Sequence, residues 1–179
     1  MNSHEKIERT ALLLFATHGY ERTSTALIAR TAGVSEALLF KYYRSKEKLF
    51  EYLIKQGFQR IVEANRGILS EPDPRALVER IIDLPYKLVR EEPDFWRMQD
   101  KEFRNPLVQL HFQRFMSPID KLLRRAFSAL GTPEPEMLTV RLLLLIQSLW
   151  RNLLYEHDES LLLVGQHLKR HYVPAPPLS

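Results

Sequence analysis

Cysteine is absent from this chain of 179 residues, and tryptophan and glycine are scarce, at two and six. Without thiols there is neither a disulfide nor a thiolate metal centre, so packing alone must hold the fold, and the composition suits a reducing compartment. Long apolar runs are also missing. The longest strongly apolar stretch, Leu142 to Ile146, is far shorter than the roughly 20 residues a helix needs to cross a bilayer. The start, MNSHEKIER, carries charge where a secretion signal would carry its apolar core, so a soluble cytoplasmic protein is expected. No stretch alternates apolar and polar residues with period two between hairpin turns, which argues against a sheet. Nor does one charge dominate: 26 lysines and arginines face 22 acids, a formal +4 that is too mild to prove a polyanionic partner.

What is present is helical periodicity along nearly the whole chain, which predicts an all-α protein. At 45% apolar content the length suffices for one sizeable core, or for a small module fused to a larger one. Helices are expected over Ser3 to His18, Thr25 to Ala32, Ser35 to Tyr42 and Ser45 to about Ser70. Further helices are expected near Arg75 to Glu92, Asp94 to Arg104, Pro106 to Leu130, Pro133 to His157 and Glu159 to Tyr172. Pro85 and Pro118 fall inside two of these and should kink or divide them, because proline removes a hydrogen bond and crowds the preceding turn. The tail VPAPPLS cannot build helix or core. The expected division is 1–50 for a small N-terminal domain, 51–172 for a larger helical one and 173–179 for a flexible tail.

Charge and punctuation single out the N-terminal part. Residues 1–55 hold nine bases and six acids, most of the chain's positive excess. Two helices meeting at a steep angle need a small residue at their contact and one tolerant of positive φ at the turn, and Ala29 and Gly33 supply them. The turn pushes the following helix outward, so that Glu36, Ala37, Leu38, Phe40 and Lys41 are presented rather than buried. Such a helix fits the major groove of DNA, with its first residues at base edges and flanking polar groups on phosphates. Thr23, Ser24 and Thr25 lie at the start of the preceding helix, where hydroxyls and free amides suit phosphate oxygens, and Tyr42 and Lys46 flank the other side. Each has a plainer alternative: hydroxyls before helices cap them, lysines coat solvated faces, and the Phe40 ring can pack beneath its own helix instead of touching a thymine methyl or sugar.

The stretch GYERTSTALIARTAGVSEALLFKYYRSKEKLF resembles the signature of the TetR family of transcriptional regulators. That signature is written glycine-aromatic-x-x-threonine-serine/threonine, then isoleucine-alanine, alanine-glycine-valine-serine, leucine-tyrosine and serine-lysine-glutamate. Gly19, Tyr20, Thr23, Ser24, Ile28, Ala29, Ala32, Gly33, Val34, Ser35, Leu39, Tyr42, Ser45, Lys46, Glu47 and Leu49 agree with it, over about the first third of the chain. Ala37 stands where the family usually has glycine, Phe40 where it has tyrosine, and Tyr43 where it has phenylalanine; the missing hydroxyl at Phe40 removes one expected phosphate contact. The resemblance implies a helix-turn-helix domain joined to a helical effector-binding and dimerisation domain. It implies a homodimeric repressor released from an inverted-repeat operator by a small-molecule effector. By the same resemblance Thr23, Ser24, Thr25, Tyr42 and Lys46 would hold the DNA backbone, while Ser35, Glu36, Ala37, Leu38 and Lys41 would read bases.

One recognition helix reads few base pairs, so a dimer surface is expected elsewhere. Leu138, Leu142, Leu145 and Leu149 form one stripe of the penultimate helix, with a neighbouring stripe at Leu143, Ile146, Trp150 and Leu153. That face is too wide for a helix covered on one side only. With Leu161, Val164 and Leu168 of the last helix, the first stripe would pair with its copy in a four-helix interface; a helix fully buried within a monomer is the alternative. The middle helices are rich in residues that line apolar pockets, and Phe95, Trp96, Gln99, Phe112, Met116, Gln147 and Trp150 are the candidate effector-pocket residues. No catalytic constellation, metal site or cofactor is expected. His167 and His171 share a helix face but lack a third ligand in sequence, and Asp94, Asp100 and Glu102 read as caps and solvated charges.

Overall fold

A computed structural model describes residues 2–156 and 159–173. Their order is α1 (Ser3–His18), α2 (Thr25–Ala32), α3 (Glu36–Tyr43), α4 (Lys46–Ala64), α5 (Arg66–Leu69), α6 (Pro74–Glu91), α7 (Pro93–Lys101), α8 (Pro106–Ala129), α9 (Pro135–Tyr155) and α10 (Ser160–Tyr172). No strand occurs among the described residues. The expected tail lies outside them beyond Val173.

Packing divides the chain into two units, Met1–Ile61 with Glu92–Gln113, and Val62–Glu91 with Arg114–Ser179. This differs from a boundary at residue 50. The first unit extends well into α4 and recruits α7, which packs against α1. Its core joins Ile7, Ala11 and Phe15 of α1 to Ile28 and Ala29 of α2, Leu39 of α3, and Leu49, Phe50 and Ile54 of α4, all nearly or fully buried. α7 adds Phe95, Trp96 and Met98. The Phe95 ring comes so close to α4 that a Cβ at Gly57 would lie 2.0 Å from it, so only glycine admits this approach.

In the second unit α6 packs on α9 and α10 through Leu77, Val78, Ile81, Ile82 and Leu88. These face Leu142, Ile146 and Leu149 of α9 and Leu161 and Leu168 of α10 in one apolar interior. The Tyr86 hydroxyl donates to the Leu161 carbonyl, and Lys169 pairs with Asp83 at 2.6 Å. A Cβ at Gly165 would lie 2.6 Å from that hydroxyl, so the glycine permits the tyrosine to reach α10.

Of the expectations about helix boundaries, one narrows and one changes. Pro85 and Pro118 lie within α6 and α8 without dividing them. In α6 the missing bond is offset by a continuous buried face around Pro85, itself buried. The helix begun near Ser45 stops at Ala64 instead of Ser70, because Asn65 leaves helical geometry and its buried side chain accepts the Lys87 ammonium at 2.7 Å. α9 is long and apolar enough by composition to cross a membrane, with mean hydropathy 1.3 over its best stretch and 33% of that stretch buried. Leu142, Ile146, Leu149, Trp150 and Leu154 are occupied by core packing, whereas Leu144 and Leu145 are exposed.

Candidate nucleic-acid interface

The candidate interface is built from two helix stops and two helix starts. Gly19 ends α1 at φ 83° with its N–H donating to the Phe15 carbonyl, a backbone state that L side chains avoid. Ser24 then caps α2 by accepting the Leu27 amide at 3.1 Å. Gly33 is left-handed at φ 67° and ψ 37°, and the Val34 amide donates back to Ala29 at 3.0 Å, which closes the turn. Ser35 starts α3 by accepting the Leu38 amide at 3.2 Å. Ile28, Ala29 and Ala32 of α2 and Leu39 and Tyr43 of α3 are buried, so α3 is fixed by one face only. Ala37, Phe40, Lys41 and Tyr42 remain on its open face, with Phe40 at 42% and Tyr42 at 45% exposure. Exposure at this level decides the alternative for Phe40: the ring is not tucked beneath α3.

Ser24 and Ser35 can combine their two readings. Each accepts a backbone amide through a lone pair, which leaves its own hydroxyl proton for a phosphate oxygen. Other expected contacts need correction. Thr23 is fully buried, and its hydroxyl donates to the Gly19 carbonyl at 2.8 Å, so it closes the turn rather than meeting DNA. The Thr25 hydroxyl donates to Glu36 at 2.5 Å, which ties the start of α2 to the start of α3 and orients a carboxylate. Lys46 donates to the Tyr20 carbonyl at 3.0 Å with its ammonium 4.0 Å above the Tyr20 ring. Its first commitment is internal, so it positions the interface.

Sequence reasoning missed a cluster at the far end of α3. The His4 ring stacks on Tyr43 with centroids 5.3 Å apart and meets Tyr42 and Tyr52 edge-on. Glu8 accepts the Tyr43 hydroxyl at 2.8 Å and lies 3.1 Å from His4. These contacts pin α3 to α1 and set the direction of Tyr42. The spacing of His4 and Glu8 on one helix face was the available signal.

Burial, followed by the hydrogen bond to Glu8, pushes the Tyr43 phenol well above its ordinary 10.0; burial, followed by Glu47, does the same for Tyr20. Both therefore stay protonated donors in the fold. Raised folded values give stability that is complete below the unfolded value near 10 and is lost as pH rises through the folded ones. Alkaline unfolding is thus expected to begin above about pH 10. In a spectrophotometric titration, part of the tyrosinate absorbance should appear only together with loss of helical circular dichroism.

The expected pocket residues are split. Phe95, Trp96, Gln99 and Phe112 belong to the first unit, Met116, Gln147 and Trp150 to the second. Phe58, Phe95 and Trp96 form an aromatic cluster with centroids 5.2–5.9 Å apart. Gln99, 4% exposed, has neither amide atom hydrogen-bonded. Gln147 is exposed on α9, which corrects its placement in a pocket. The expected dimer stripe is corrected as well. Leu142, Leu149, Leu161 and Leu168 face their own subunit's core and Leu138 is partly covered, whereas Leu145 and Val164 are exposed. The open apolar band comprises Met137, Val140, Leu144 and Leu145 of α9 with Leu162, Leu163 and Val164 of α10. Among the described residues no cluster of three metal-ligating side chains occurs.

Residues 7–53 match the model of bacterial regulatory proteins, tetR family. The nucleoid occlusion factor SlmA of Pasteurella multocida is 32% identical over 115 residues, covering 60% of this chain and 56% of that protein. The HTH-type transcriptional regulator YuxN of Bacillus subtilis is 32% identical over 111 residues, 61% of this chain and 38% of its own. The chain thus spans about half the length of these curated relatives. A TetR-like transcriptional regulator from Rhodococcus sp. RHA1 superposes with a TM-score of 0.80 at 20% identity, covering 95% of this chain and 93% of that one. Bacillus subtilis FadR in complex with stearoyl-CoA gives 0.73 at 15% identity, covering 95% and 97%. At such identities the likeness is one of fold.

Proposed function

We propose that this chain, whose residues 7–53 match the tetR family model, is a regulator of that family: it binds operator DNA as a symmetric dimer, represses transcription there, and is released by a small-molecule effector. The observation that carries this reading is the left-handed turn at Gly33, which leaves α3 anchored by Leu39 and Tyr43 with its opposite face open. On that face Ala37, Leu38, Phe40 and Lys41 would meet base edges and thymine methyls, and the Glu36 carboxylate, oriented by Thr25, would accept from a cytosine amino group. Ser24, Ser35 and Tyr42 would grip phosphates on either side. Selecting bound duplexes from random DNA tests the reading. The expected product is an inverted repeat with half-sites about 34 Å apart, or a multiple of that. Enrichment of no sequence, or of an unpaired site, would contradict it.

The open band on α9 and α10 would join two copies, since an apolar face of this extent on adjacent helices is a surface that association covers. The effector would enter the first unit beside Phe95 and Trp96 and use Gln99 as its polar anchor. Both atoms of a buried amide without partners cost free energy that a bound polar group recovers, and the pair asks for a ligand group that both donates and accepts. Release then follows if the effector prefers a dimer whose two α3 helices no longer match successive major grooves; equal affinity for both states would shift nothing.

A further inference from the structure

We propose that Glu102 is a positioning residue for DNA binding: it clamps the turn leading into α2, so that the DNA-reading head includes the end of α7. This inference rests on the DNA-binding reading above. Glu102 follows α7 directly and accepts the Tyr20 backbone amide on Oε1 at 2.7 Å, across 82 residues of sequence. A carboxylate on a part-buried amide is among the stronger hydrogen bonds a fold can make. Gly19 is shaped for it twice, by its φ of 83° and because a Cβ there would lie 3.3 Å from the same oxygen.

The other polar groups of Tyr20 are tied to the start of α4. Its carbonyl accepts from Lys46 at 3.0 Å, and its phenol donates to Glu47 at 3.0 Å. From Gly19 the Thr23 hydroxyl bond at 2.8 Å carries the restraint to Ser24, the α2 cap placed at a phosphate. Tyr20 is therefore a junction at which the end of α7, the cap of α2 and the start of α4 are fixed together. Without the carboxylate the Tyr20 amide loses its acceptor and the turn relaxes, which moves the Ser24 cap away from the register that α3 requires.

The test uses the full chain, its Glu102→Ala and Glu102→Gln variants, a duplex selected from random DNA by the unmodified chain, and bulk non-specific duplex. Glu102→Ala is expected to weaken the selected duplex about tenfold, the scale of one lost charge-assisted bond, while non-specific binding stays within about twofold. Glu102→Gln keeps a carbonyl acceptor and should recover to within about threefold. Hydrogen exchange of the Tyr20 amide, followed by NMR without DNA, should quicken about tenfold in the alanine variant and be restored in the glutamine one. Unchanged affinity or unchanged Tyr20 exchange in Glu102→Ala would overturn the proposal. So would an equal loss on both duplexes with a lowered melting temperature, which would make Glu102 a contributor to the fold only. Failure of the unmodified chain to enrich any duplex would remove the DNA-binding reading and the role with it, while Tyr20 exchange would still report whether the bond exists.

Discussion

Leu163→Glu is expected to convert the protein into a monomer and to lower its affinity for an inverted-repeat operator by about 10²- to 10⁴-fold, the advantage that linking two half-site readers confers. Leu163 is 62% exposed and Leu144 is 61% exposed on the neighbouring helix, so neither supports its own subunit's core. A carboxylate at Leu163 would be desolvated without a partner when two bands close on each other, a cost large enough to prevent association. Leu142→Ala provides the contrast. Leu142 is fully buried, so its truncation should lower stability by about 2–5 kcal/mol while leaving the mass in solution unchanged. Sedimentation and thermal melts separate the two. A dimer that survives Leu163→Glu would exclude this band as the interface.

Gln99→Leu is expected to abolish the effector response and at the same time to stabilise the protein. The side chain is 4% exposed with both amide atoms unpaired, so replacing it by an apolar group of similar size removes a desolvation cost of about 1–3 kcal/mol. Operator affinity without effector should not change, because the substitution leaves the α2–α3 face intact. The readouts are a urea melt and operator binding with a cell extract or candidate compounds that release the unmodified protein. A destabilised variant would mean that Gln99 has a hydrogen-bond partner in the resting fold, and a variant still released would place the polar anchor elsewhere.

The N-terminal part was legible because its signals are local. Gly19 and Gly33 each occupy a backbone state that only their own residue type reaches cheaply, and Ser24, Ser35 and Ser45 each cap the helix that follows within three residues. Helix type and most boundaries therefore follow from short stretches. The same reasoning did not find the internal partners of Thr23, Thr25 and Lys46, because a hydroxyl or ammonium near a helix start has several partners within reach and sequence does not rank them. Burial of Thr23 and the approach of Tyr20 to Lys46 decided the matter.

In α9 the periodicity marked two apolar stripes, yet both turn residues inward, Leu142 and Leu149 from one and Ile146 and Trp150 from the other, while the open band runs through Met137, Val140, Leu144 and Leu145. Leucine at Leu142 and at Leu144 is the same residue with the same propensity, and only the placement of α6 and α10 makes one fully buried and the other open. The sequence by itself determined the all-α class, the turns that bring α3 to the surface and the match of residues 7–53 to the tetR family model, since each depends on short stretches of chain. Tertiary structure alone decided that α7 joins the first unit, where Glu102 accepts the Tyr20 amide, and which leucines remain exposed. Those outcomes depend on groups up to 82 residues apart, whose meeting is fixed by how whole helices pack and not by any local preference.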